Sequence, residues 1–187
     1  MPVSDDLFLI GPRDGYAPRV GTLASQLENA RHYLRGALRG LDAAALHARP
    51  APARNTVGEI VAHLVAAEAM FRAITFEDRM LDPEREAEHV AAMRFAAPQD
   101  PGRDLAGYLR ALAASRDATL AGLRARDDAW LDTPKTFFGR PANVHYYWLH
   151  YLQDEARHTG QITLIRRYLL PTPEPGLNPY ALDDPPE

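Results

Sequence analysis

The chain has 187 residues, a net charge of −4 and no cysteine. One domain of that length can bury a real core, and the missing thiols exclude disulfides, a cysteine nucleophile and thiolate metal sites, leaving histidine and carboxylate as ligands. No basic stripe marks a nucleic-acid binder, no run approaches the roughly 18 apolar residues of a membrane span, and the acidic start Ser4-Asp5-Asp6 lacks the basic n-region of a secretory signal. A cytoplasmic protein that engages neither nucleic acid nor membrane is expected.

Residues 1–16 carry Pro2, Gly11, Pro12 and Gly15 and read as an irregular lead-in. A first helix is predicted over about 18–39, with Val20, Leu23, Leu27, Leu34 and Leu38 inward and Gly40 as its stop. The link 46–52 holds Pro50 and Pro52 and cannot continue a helix. A second helix restarts at Thr56, because Thr56-Val57-Gly58-Glu59 has the form of a capping box. Its apolar face is Val57, Ile60, Leu64, Ala67, Phe71 and Ile74, with His63 and Met70 on one flank. A charged connection follows over 78–101, with a short helix of about 83–95 between Pro83 and Pro98. A third helix spans about 104–125, with Leu105, Leu109, Leu112, Thr119 and Leu123 inward. The segment with Trp130, Pro134, Phe137, Phe138 and Pro141 reads as a loop, Gly139-Arg140-Pro141 included. A fourth helix covers about 142–170, and the tail 171–187 is too rich in proline to be helical. These elements describe an all-α chain, a four-helix bundle with a long crossover between its second and third helices. It forms a single domain over 1–187 with a core of about 18–170.

The chemistry lies on the fourth helix. At roughly 100° per residue, Val144, Trp148, Tyr151, Ile162, Ile165 and Leu169 share one face, and His158 falls near its centre between Asp154 and Glu155. Burying an imidazole and a carboxylate without partners costs several kcal/mol, and a divalent metal ion is the simplest compensation. Asp154 and His158 stand one turn apart and can reach a single ion, while His63 can enter from the second helix. Two imidazoles and a carboxylate suit Zn, Ni, Fe or Mn, with positions left for water or substrate. The blander reading is a hydrogen-bonded helical Asp-x-x-x-His pair, and periodicity does not choose between Asp154 and Glu155. His150, one turn before Asp154, is a spare ligand or a support for one. Glu86-Ala-Glu-His89 and Glu155-Ala-Arg-His158 also form the two Glu-x-x-His motifs of a di-iron bundle. The segment with His89 nevertheless reads as a poor core helix. Tyr146, Tyr147, Trp148 and Tyr151 line either a pocket or ordinary core, and Phe137 and Phe138 are placed to close over such a pocket.

At these residues the sequence resembles the DinB/YfiT-like family of metal-dependent bundle proteins. Arg49-Pro50-Ala51-Pro52, then Thr56-Val57-Gly58-Glu59-Ile60-Val61-Ala62-His63-Leu64 and Glu68, match the family's run into its second-helix histidine. Glu155-Ala156-Arg157-His158-Thr159-Gly160-Gln161 matches its fourth-helix segment. The resemblance implies His63, Asp154 and His158 as metal ligands. Many members carry histidine in place of Asp154, whereas the mycothiol-dependent maleylpyruvate isomerase branch resembles this chain in having a carboxylate there.

The leading functional expectation is therefore a metalloenzyme in which a divalent ion activates a low-molecular-weight thiol or a water. The reaction is transfer, isomerisation or hydrolysis of a small molecule. A non-catalytic metal- or ligand-binding bundle and a structural dimer without metal are the alternatives. A homodimer is expected from the resemblance and from Phe8, Leu9 and Phe76, which lack an evident internal place.

Overall fold

A computed structural model describes residues 7–97, 100 and 102–170. The first six residues, Pro98 and the proline-rich tail lie outside the described residues. Among the described residues the chain is all-α apart from one hairpin. Its helices are α1 (Pro18–Leu38), α2 (Ala43–His47), α3 (Val57–Phe76), α4 (Ala87–Met93), α5 (Leu105–Arg124) and α6 (Val144–Leu164). A π-helical turn, Ile165–Leu169, extends α6. No helix among the described residues is long and apolar enough to cross a membrane.

Local chemistry sets the helix boundaries. Thr56 and Glu59 exchange the two hydrogen bonds of a capping box at the start of α3. Asp104 and Asn143 accept from Gly107 and Tyr146 N–H and cap α5 and α6. Asp42 does the same for α2, a short helix that the sequence reading does not assign and that overlaps the link 46–52 only at Leu46 and His47. The segment expected as loop contains strands β1 (Pro134–Phe137) and β2 (Arg140–Asn143), paired antiparallel. Phe138 and Gly139 join them with φ of 46° and 76°, the two positive angles of a type I′ turn. In a two-stranded sheet every strand is an edge, so Pro141, opposite Thr136, is tolerated.

The four long helices pack in a ring: α1 touches α5 and α6, and α3 touches α5 and α6. Two apolar clusters fill its interior. One gathers Leu34, Leu38, Ile60, Leu64, Leu112 and Ile162. The other gathers Leu23, Leu27, Phe71, Leu123, Trp148 and Tyr151. Phe76 has an internal place after all: its ring stands 5.3 Å from that of Trp130 and 5.6 Å from that of Trp148. Gly122 leaves room for it, since a Cβ there would strike the Phe76 ring.

Between the two clusters lies a buried layer of charge. Arg31 of α1, Glu68 of α3, Arg116 of α5 and Glu155 of α6 form a closed ring of alternating sign. Arg31 donates from Nε to Glu155 at 2.5 Å and from Nη2 to Glu68 at 2.9 Å. Arg116 donates from Nε to Glu68 at 2.6 Å and from Nη2 to Glu155 at 3.0 Å. The spare guanidinium hydrogens reach the Leu112 and Leu27 carbonyls. Each long helix supplies one member, so sliding any helix along its axis breaks two ion pairs.

Candidate metal centre

The capping box fixes the start of α3, and His63 follows less than two turns later, buried. Asp154 and His158 stand one turn apart on α6, both partly buried. Across the α3–α6 contact His63 Nε2 lies 3.3 Å from Asp154 Oδ2. His158 Nε2 lies 3.5 Å from Asp154 Oδ1. One ligand atom from each residue can be chosen so that all lie within 4.8 Å of one another.

The other face of each imidazole is occupied. His63 Nδ1 donates to the Ala92 carbonyl at 3.3 Å, and His158 Nδ1 donates to Gln161 Oε1 at 2.7 Å. A carbonyl and a carboxylate both only accept, so His63 meets an acceptor at each nitrogen, Ala92 O at Nδ1 and Asp154 Oδ2 at Nε2. An ion in place of the Nε2 proton would leave Nδ1–H donating to Ala92. Burial holds the His158 imidazole below its ordinary value, against the pull of Asp154. Burial pushes the Asp154 carboxyl up, but the hydrogen bond from His63 and the charge of His158 outweigh it and hold the group low. At neutral pH a carboxylate and a neutral imidazole thus meet as two Lewis bases.

A divalent ion fits this donor set. Ligands about 2.1 Å from a tetrahedral ion stand about 3.4 Å apart. The two Nε2–carboxylate distances, 3.3 and 3.5 Å, match this through different oxygens of Asp154, and one ligand atom from each residue can be taken within 4.8 Å of the others. The Nδ1 partners are of the kind that orient metal-binding imidazoles.

The structure separates the other candidates. Glu155, 0% exposed, holds the centre of the α6 seam, where His158 was expected, and both its oxygens are bound to arginine. Partner helices decide which residue goes deepest, and the periodicity of α6 alone cannot see them. Glu86 is bound by Arg79, which rules out convergence of the two Glu-x-x-His motifs. His89 instead lines a cavity of about 470 Å³ with Ala62, Val65, Ala92, Phe95 and Tyr108. None of the three convergent side chains lines that cavity. His150 packs on Phe71, Phe137 and Tyr146 rather than joining the three convergent side chains. Tyr147, Trp148 and Tyr151 are core, whereas Phe138, 90% exposed, closes over nothing.

The sequence reading missed the charged ring, although a signal was present. Arg31 sits between Leu27 and Leu34, Glu68 between Leu64 and Phe71, and Arg116 between Leu112 and Thr119. Each occupies a position where its helix's apolar stripe calls for a hydrophobe.

The mycothiol-S-transferase family model matches residues 22–169, well over half of the chain. The chain belongs to the mycothiol-S-transferase family. This family is DinB/YfiT-like, in accord with the motifs around His63 and His158. The match spans all three convergent residues and all four members of the charged ring. No individual curated protein matches the sequence.

Proposed function

We propose that this mycothiol-S-transferase family member is a divalent-metal-dependent enzyme that transfers a low-molecular-weight thiol to a small electrophilic molecule. The reading takes its support from one observation above all. Two imidazole nitrogens and a carboxylate oxygen converge within 4.8 Å of one another, and the far nitrogen of each imidazole is already hydrogen-bonded. A divalent cation at that point would take the place of the proton between His63 and Asp154.

His63, Asp154 and His158 hold the ion, which is Zn, Ni, Fe or Mn by the chemistry of the donors. When bound, the ion supplies Lewis acidity that favours the deprotonated form of a thiol or water near neutral pH. The protein's own groups bind, orient and exclude water. Ala92 and Gln161 fix the imidazoles, and the Phe95 ring covers both, 4.4 Å from that of His63 and 5.8 Å from that of His158. Three ligands leave the remaining coordination positions to the thiol or water.

The same reading takes the ring of α1, α6, α3 and α5 as a four-helix bundle forming a single domain, with α4 inside the crossover between α3 and α5. It places the enzyme in the cytoplasm as a homodimer. Exposed apolar side chains at Phe8, Leu9 and Ile10 support an interface on the lead-in.

The test is a conjugation assay with mycothiol and a small electrophile, with and without a chelator. Turnover that disappears on chelation and returns with one of the four metals is expected. Turnover unaffected by chelation overturns the metal dependence, and bound metal without turnover makes the protein a non-catalytic binder.

A further inference from the structure

We propose that Phe95 is the positioning residue of this centre, using a left-handed backbone and a stacked ring to aim His63 at Asp154. The inference rests on the metal reading above and adds a residue that is not itself one of the three ligands.

The backbone comes first. Helix α4 ends with Ala96 N–H donating to the Ala91 carbonyl at 2.9 Å and Phe95 N–H donating to the Ala92 carbonyl at 3.0 Å. This pair of bonds is a Schellman motif, whose left-handed position normally falls to glycine. Here it falls to Phe95, with φ of 53°. A bulky side chain is a steric outlier at such an angle, and it persists only where its surroundings fix it. Glycine would close α4 without that penalty, so the termination of α4 does not account for the ring.

The surroundings of His63 account for it. The Phe95 ring lies 4.4 Å from the His63 ring, with 15° between their planes. The Ala92 carbonyl that receives Phe95 N–H also receives His63 Nδ1–H, at 3.3 Å. Stacking sets the plane of the imidazole, and the hydrogen bond sets its rotation within that plane. Together they leave Nε2 3.3 Å from Asp154 Oδ2. One turn-terminating residue thus supplies one constraint directly and holds in place the carbonyl that supplies the other.

Phe95 also packs on an apolar cluster, so the test must separate aim from packing. Three variants do so: Phe95→Tyr keeps the stacked ring, Phe95→Leu keeps apolar bulk without it, and Phe95→Gly removes both bulk and backbone penalty. Each is titrated with Co²⁺ and followed by its visible absorption. The metal-free proteins are also compared by the ¹⁵N shifts of the His63 ring at one pH above the imidazole range. Phe95→Tyr should bind within about threefold of the parent, while the Leu and Gly variants should bind about 10- to 100-fold more weakly. In those two variants the His63 ring shifts should move away from those of the parent, as the ring loses its fixed orientation between Ala92 and Asp154. Parent-like cobalt affinity with unchanged His63 shifts in both the Leu and Gly variants overturns the proposal and leaves Phe95 a packing residue. If the parent itself takes no cobalt, the metal reading fails, and the shift comparison alone decides the role of Phe95.

Discussion

Asp154 and Glu155 are adjacent carboxylates on one helix with opposite employment. Asp154 faces two imidazoles at the partly buried edge of the α3–α6 contact, and Glu155 faces two arginines in the interior. Their substitutions should therefore fail differently. His158→Ala and Asp154→Asn should each abolish metal retention while leaving the helical circular dichroism unchanged, because the apolar clusters do not include them. Unaltered metal content in His158→Ala, measured by atomic emission, would remove it from the ligand set. Arg31→Met, by contrast, leaves Glu68 and Glu155, both fully buried, each short of a cation. Breaking a buried pair from one side costs about 3–5 kcal/mol, to be read from the midpoint of urea unfolding. A shift smaller than about 1 kcal/mol would show the ring to be replaceable in isolation. Glu68 adds a pH signature. Burial pushes its carboxyl up, but Arg116 and Arg31 overcome this and lower it from the ordinary 4.5 to about 2. A depressed carboxylate contributes stability that is complete above its unfolded value and is lost as pH falls toward the folded one. Unfolding midpoints should thus hold between pH 7 and 5 and fall progressively between pH 4.5 and 2.

At the scale of elements, the caps are the most testable. Thr56→Ala removes one arm of the capping box that fixes the start of α3 and should cost about 1 kcal/mol without displacing His63 from Asp154. The helices were legible because caps and apolar spacing are local. Thr56–Glu59 marks the start of α3, and Asp104 marks that of α5, within a residue of the expected boundaries. The hairpin was not legible. Its strands have only four residues each and contain Pro134 and Pro141, so the local composition says loop while the type I′ turn and cross-strand bonds say strand. Helix α4 is legible as a short helix, but its part in the site is not. Its charged, proline-flanked sequence does not advertise that its last turn carries the carbonyl and ring that face His63. Such roles depend on contacts across about 30 residues of chain, which periodicity does not reach.

For the whole molecule, the charged ring and the proposed centre belong to one design. Glu68 and Glu155 tie α3 and α6 to the arginines of α1 and α5, and the same two helices carry His63, Asp154 and His158. The relative height of α3 and α6, and hence the 3.3 Å approach of His63 to Asp154, is held by ion pairs deeper in the interior. The sequence contained both halves, but the ligands were visible through family resemblance, whereas the ring shows only as charges interrupting apolar stripes. The proposed homodimer is independent of this, because every ligand comes from one chain. Light scattering at micromolar concentration should give twice the monomer mass, and Leu9→Asp should reduce it. The central claim is the ion itself. The most direct measurement is the metal content of protein loaded with Zn²⁺ and dialysed against metal-free buffer, for the parent chain and for Asp154→Ala. One retained ion per parent chain, with none in the folded variant, is the predicted result; no ion in the parent, or equal retention in both, would contradict the account.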